Sequence, residues 1–198
     1  MKPIAKTALV ASIIGPIQSV LGWVIAGSLW PGYDQVRQTI SELASPESPV
    51  RVIMSSFFVL GGTLTLIGAV YARTFSLPGR IALFVSALCT YGLTIFPTPL
   101  VGSSPMHRLF AISSFALSAA WPLLAMRFRR DAPAALRPPI AISVTVLQGI
   151  LAIIFLVVWS DPTSPVIGVW ERVVSVSQSA CVTFFVVACY LSQRRSVR

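Results

Sequence analysis

The chain has 198 residues, 55% of them hydrophobic and only 11% charged, with a formal net charge of +9. A chain so apolar and so short leaves no room for a soluble catalytic domain beside its membrane-buried part. The excess of 15 Lys and Arg over six Asp and Glu would suggest nucleic acid in a soluble protein. Here it is confined to short segments between apolar runs, where it meets lipid headgroups, and no nucleic-acid partner is expected.

In chain order, the basic start MKPIAK leads into an apolar run over 7–30. That run exceeds the ~7–15 residues of a signal-peptide core, so it predicts a retained first span. The connection after it is the longest. In YDQVRQTISELA the apolar residues Tyr33, Val36, Ile40 and Leu43 recur at three- and four-residue steps, predicting a short amphipathic helix lying on the bundle mouth. Pro46 and Pro49 end it.

Five more spans follow at 52–72, 81–101, 108–128, 140–160 and 173–192, each near the ~20 residues that cross hydrocarbon as helix. The links RTFSLPGR and RRDAPAALRPP are compact and rich in turn formers. Pro16 and Pro122 fall inside spans, and each frees a backbone carbonyl that a neighbouring helix must satisfy. Gly15, Gly22, Gly61, Gly62 and Gly68 are expected points of close helix approach. Cys89, Cys181 and Cys189 lie within spans, where small apolar packing is their expected role.

The two charge signs sort onto opposite ends of this arrangement. Lys2, Lys6, Arg73, Arg80, Arg127, Arg129, Arg130, Arg137, Arg194, Arg195 and Arg198 fall on one side. Asp34, Glu42, Glu47, Asp161 and Glu171 fall on the other, with only Arg37, Arg51, Arg108 and Arg172. The positive-inside rule makes the first side cytoplasmic and puts both termini there. The expected fold is therefore all-α: one domain over 1–198, a bundle of six transmembrane helices in the cell membrane, with a short amphipathic helix in the first outer loop.

Polar groups then concentrate at the outer face. Ser41 and Glu42 share the loop helix with Asp34 and Arg37, His107 and Arg108 open the fourth span, and Glu171 and Arg172 open the sixth. Helical spacing carries two of these inward: His107, Ala111, Ser114 and Ser118 along the fourth helix, and Glu171, Ser175, Gln178 and Ser179 along the sixth. Gln18 and Gln148 add amides near mid-depth. Unpaired amides are costly in lipid, so these groups are expected to face the bundle interior as a polar seam open to the outside.

As a functional site, the seam makes His107 an acid or base near neutral pH, with Glu42 or Glu171 orienting or sharing its proton. At least two of the three are expected to lie within ~4–6 Å of one another, close enough to shift each other's protonation. Ser41, Ser114, Ser175, Gln178, Asp34 and the guanidinium groups of Arg37, Arg108 and Arg172 would hold a ligand, with an anionic headgroup suited to the arginines. The same residues can instead pair across helices to seal the bundle end. A metal held by His107, Glu42 and Glu171 is a lesser alternative, since one His makes no His-rich centre. No P-loop, GxGxxG or haem-attachment motif is present, and no cofactor is expected.

The segments TISELASPESPVR, VIMSSFFVLGG, HRLFAISSF and GVWERV resemble the prokaryotic six-helix membrane family known as domain of unknown function 998. The loop and the span after it are also distantly similar to a eukaryotic six-span family of autophagy modulators and a GPI-anchor remodelling factor. That likeness implies lipid-related work at the non-cytoplasmic leaflet. The expected ligand is a membrane lipid or isoprenoid-type amphiphile, bound or chemically modified. The competing readings are a non-catalytic accessory protein for partner transmembrane helices and a small-solute transporter. The latter lacks an acidic residue at mid-membrane.

Overall fold

The computed structural model describes residues 3–161 and 163–195; Lys2 and Arg198 lie outside them. Six helices are long and apolar enough to cross a membrane: α1 Lys6–Ser28, α3 Arg51–Tyr71, α4 Leu77–Ile95, α5 Pro105–Ala125, α6 Pro138–Ser160 and α7 Ile167–Arg195. Their apolar windows reach mean hydropathies of 1.3 to 2.6. The shortest, α4, has 19 residues, or about 28 Å at 1.5 Å per residue, close to the ~30 Å of hydrocarbon. The protein is an all-helical, multi-pass membrane protein. A four-residue helix, α2 (Ile40–Leu43), and a single 3-10 turn (Ala134–Leu136) complete the described elements.

Consecutive spans pack as neighbours, and α7 returns to pack on α1, closing a ring in the order α1, α3, α4, α5, α6, α7. One end of the ring holds the chain start, the α3–α4 and α5–α6 links and the end of α7. There Ile4 bridges Ala72 and donates its N–H to Gln193 at 3.0 Å. Arg80 donates to the last carbonyls of α3, Ala69 at 2.7 Å and Val70 at 2.9 Å, and Arg127 donates to Phe75 at 3.0 Å. Two of the basic residues at this end thus satisfy carbonyls that a helix end or a link leaves open. A cluster of fully buried side chains closes the ring's interior here. Trp121 stands 5.3 Å from Phe75 and 5.0 Å from Phe185, with Leu83, Leu136 and Cys189 around them. The opposite end, the mouth, carries α2 and the loops at 96–104 and 163–166.

Helix boundaries depart from the sequence reading where capping chemistry outranks hydropathy. Ser104 accepts the His107 N–H at 3.2 Å and Pro105 follows at the first helical position, so α5 begins three residues before the expected 108. α7 starts at Ile167 rather than 173, which moves Glu171 and Arg172 from a loop edge into its second turn. α4 stops at Ile95, not 101, because Pro97 pushes Phe96 out of helical geometry, to φ −118° and ψ 71°.

The amphipathic loop helix is shorter than its periodicity predicts. Residues 34–38 form a turn, held by the Asp34 carboxylate accepting from Val36 N–H at 2.8 Å and Arg37 N–H at 3.3 Å. Thr39, extended at φ −76° and ψ 159°, then starts α2 afresh with a reciprocal capping box to Glu42. Two local side-chain solutions therefore interrupt one hydrophobic period.

The carbonyl freed by Pro16, that of Ser12, accepts from the Thr183 hydroxyl of α7 at 2.5 Å. Of the five glycines expected at close contacts, Gly22, Gly61 and Gly62 meet Phe57, Gln18 and Tyr91, but Gly15 and Gly68 face open space.

Candidate functional site

Two cavities occupy the mouth half of the ring, and they share Ser41, Ala111, Phe115 and Glu171. The outer one, about 190 Å³, is lined by Thr39, Ser41, Glu42, the loop residues Thr98 to Leu100 and Gly102, His107, Trp159 and Glu171, among others. The inner one, about 170 Å³, lies on the ring axis and draws on α1, α2, α3, α4, α5 and α7. Gln18, Ser114, Ser118, Ser175, Gln178 and Ser179 all line it, whereas Gln148 lines neither cavity and pairs with Ser177 on α7. Ser19, Thr65, Ser86 and Thr90 line it as well. The spacing Ser86–Thr90 on α4 is the signal that would have added that helix. Its other walls are apolar: Met54, Phe57, Phe58, Leu93, Phe115 and Val182.

Glu171 stands where the cavities meet and is 5% exposed. Its carboxylate accepts from the Ile40 N–H and from Ser41 Oγ at 2.7 Å, anchoring the start of α2 to α7. Glu42 is half-buried and works within its own loop: one oxygen accepts from Thr39 N–H at 3.1 Å and Thr39 Oγ1 at 3.0 Å, the other from Gln38 at 3.1 Å. The T-x-x-E run from Thr39 to Glu42 announces that cap in the sequence, although periodicity alone does not show it.

His107 is 4% exposed. Its Nδ1 lies 3.0 Å from the Phe96 carbonyl, which α4 leaves open at its end. A carbonyl only accepts, so Nδ1 carries the proton and Nε2 is left as the basic nitrogen. Nε2 has no partner among the described residues. His107, Glu42 and Glu171 line one cavity, but no hydrogen bond or ion pair joins any two of them. No group of three metal-ligating side chains is assembled among the described residues, so the metal alternative lacks its coordination shell.

The arginines turn away from both cavities, and the expected anion clamp is not assembled. Arg172 is 8% exposed and serves the protein itself. Its Nη1 donates to the carbonyls of Gln35 at 2.8 Å, Gln38 at 3.0 Å and Gly168 at 2.8 Å, and its Nη2 to Tyr33 Oη at 2.7 Å. The guanidinium also stacks 5.1 Å from Trp23 and 5.7 Å from Tyr33. Tyr33 in turn donates to the Thr39 carbonyl at 2.7 Å, and burial pushes its phenol above the usual tyrosine value. Gly168 makes this possible, because a Cβ there would collide with the Gln38 and Gln35 carbonyls. Arg37 is exposed and pairs with Asp34 at 3.8 Å, while Arg108 lies over Trp159 at 5.2 Å. Asp34 holds its turn and reaches neither cavity.

The arrangement offers an imidazole whose Nε2 has no partner among the described residues and two hydrogen-bonded acidic side chains at the mouth, above an axial chamber of hydroxyls and amides backed by aromatic walls. No curated protein and no solved structure matches the chain, and the eukaryotic six-span likeness gains nothing from them. The family model described as protein of unknown function (DUF998) matches residues 13–188. That stretch runs through all six spans and both cavities, and the chain belongs to the DUF998 family.

Proposed function

We propose that this is a cell-membrane protein with cytoplasmic termini and an extracytoplasmic mouth, and that its adjoining cavities bind a lipid or isoprenoid-type amphiphile. The observation that carries the reading is that the two chambers adjoin, with Ser41, Ala111, Phe115 and Glu171 lining both. The inner one presents polar groups such as Gln18, Ser175 and Gln178 beside Phe57, Phe58 and Phe115, as a headgroup and a tail require. His107 Nε2 is a ring nitrogen without a partner among the described residues in the outer chamber, and in this reading it is the group suited to accept a proton from the ligand. The orientation rests on the charge asymmetry. It is tested with Ser103→Cys at the mouth and Ala134→Cys at the other end, both exposed positions. An impermeant thiol reagent should label only the first in intact cells; the reverse pattern overturns the orientation.

Binding is tested by thermal unfolding of the wild type and of His107→Ala and Glu42→Gln across phospholipids, prenyl phosphates and quinones. A bound lipid stabilises by RT ln(1 + [L]/Kd), about 2.7 kcal/mol at a hundredfold excess over Kd. Gln at the third helical position preserves a capping box, so Glu42→Gln should fold normally and lose ligand stabilisation. A wild type that no lipid stabilises would return the accessory reading, with partner transmembrane helices as its ligands.

A further inference from the structure

Neither cavity is lined by a Lys or an Arg, while Glu171 lines both and Glu42 lines the outer one. A phosphate entering this space would meet acidic side chains and no cation, and charge burial without a partner is strongly unfavourable. The inner chamber carries a different kind of chemistry. Gln18, 8% exposed, makes no hydrogen bond among the described residues, and its Oε1 is buried without a partner. Gln178, 7% exposed, donates to the Phe115 carbonyl at 3.0 Å, and its own carbonyl oxygen has no hydrogen-bond partner among the described residues. Ser175 has no hydrogen-bond partner among the described residues, and Ser86 and Ser118 share a bond at 2.8 Å. Nine-tenths-buried amides rarely stand with spare capacity unless something fills it.

The size is equally specific. The chamber's 170 Å³ is comparable to the cavity of about 150 Å³ that accommodates a benzene ring. We infer that the inner chamber receives an uncharged, hydroxyl-bearing group of glycerol or single-sugar size, with Gln18, Gln178 and Ser175 as its hydrogen-bonding partners. This rests on the lipid-binding reading and narrows it: the ligand's head is a neutral polyol, not a phosphate.

The test uses the full chain in phosphatidylcholine nanodiscs, with thermal unfolding as readout. The lipid probes are monoglucosyl dioleoylglycerol, dioleoylglycerol and dioleoylphosphatidic acid; free glucose and glycerol are the soluble arms. The glucosyl lipid or dioleoylglycerol should raise the unfolding midpoint, and phosphatidic acid should not. Ser175→Ala removes no protein hydrogen bond, so it should melt like wild type alone and lose most of the lipid-dependent shift. Gln178→Leu should lose the shift entirely, read against its own ligand-free midpoint. Stabilisation by phosphatidic acid equal to or above that by the neutral lipids overturns the inference and leaves lipid binding standing. A shift from free glucose or glycerol alone keeps the polyol chemistry and removes the lipid. No shift from any probe removes both.

Discussion

Arg172→Met is the substitution with the largest expected effect on the mouth. It keeps the apolar stem and removes a guanidinium that donates to three backbone carbonyls and one phenol, all within 3.0 Å. A hydrogen bond from a charged donor is worth about 1.5–3 kcal/mol net. The four share one group and do not add, so the expected loss is roughly 3–5 kcal/mol, the range for breaking a buried charge network. For a chain of this length that corresponds to a fall in Tm on the order of 10 °C. Arg172→Lys should recover less than half, because an ammonium cannot span carbonyls from Gln35 to Gly168 and stack on Trp23 as well. Differential scanning fluorimetry gives the midpoints. Hydrogen exchange should show deprotection at 34–39 before the spans open. An Arg172→Met protein melting within about 2 °C of wild type, with that loop still protected, would refute the assignment of Arg172 as the brace of the mouth.

The freed Ser12 carbonyl gives a second test. Thr183→Val should cost about 0.5–1.5 kcal/mol, and the cost should shrink in a Pro16→Ala background, where the helix can satisfy that carbonyl itself; an unchanged cost in the double-mutant cycle would contradict the pairing. A third concerns pH. Glu47 accepts from Leu100 N–H at 3.2 Å, and its own backbone N–H and that of Leu100 hold its carboxyl below the usual glutamate value. A depressed folded value means the latch is fully present above the ordinary glutamate pKa and is lost as pH falls through the lowered one. Exchange at Leu100 should therefore speed up relative to its intrinsic rate as the wild type is acidified through that lowered value. In Glu47→Gln it should follow only the intrinsic pH dependence, and matching profiles for the two proteins would dismiss the latch.

What could be read from the sequence was whatever depends on period. Six apolar runs gave six spans, and i, i+4 spacing aligned Ser114 with Ser118 and Glu171 with Ser175 and Gln178, because a helix buried on one face must repeat near 3.6 residues. The loop was not legible in the same way. Tyr33, Val36, Ile40 and Leu43 do repeat as a helix would, yet Asp34 and Thr39 each bind nearby backbone N–H groups, and those local bonds outcompete a ladder that has no span to extend. The role of Arg172 was hidden for a different reason. An Arg beside a Glu at a helix end looks the same in sequence whether it faces a ligand or the protein. Which it does depends here on Gly168, one turn earlier, where the missing Cβ lets the loop backbone come close enough to offer its carbonyls. The three arginines were read together as an anion clamp because charge is visible and direction is not. Once Arg172 is committed to the loop, Arg37 to Asp34 and Arg108 to Trp159, the mouth retains its carboxylates without the cations. Among the described residues, a buried polar atom left without a protein partner is Gln18 Oε1, and it sits deeper, beside the hydroxyls and amides that line the inner chamber.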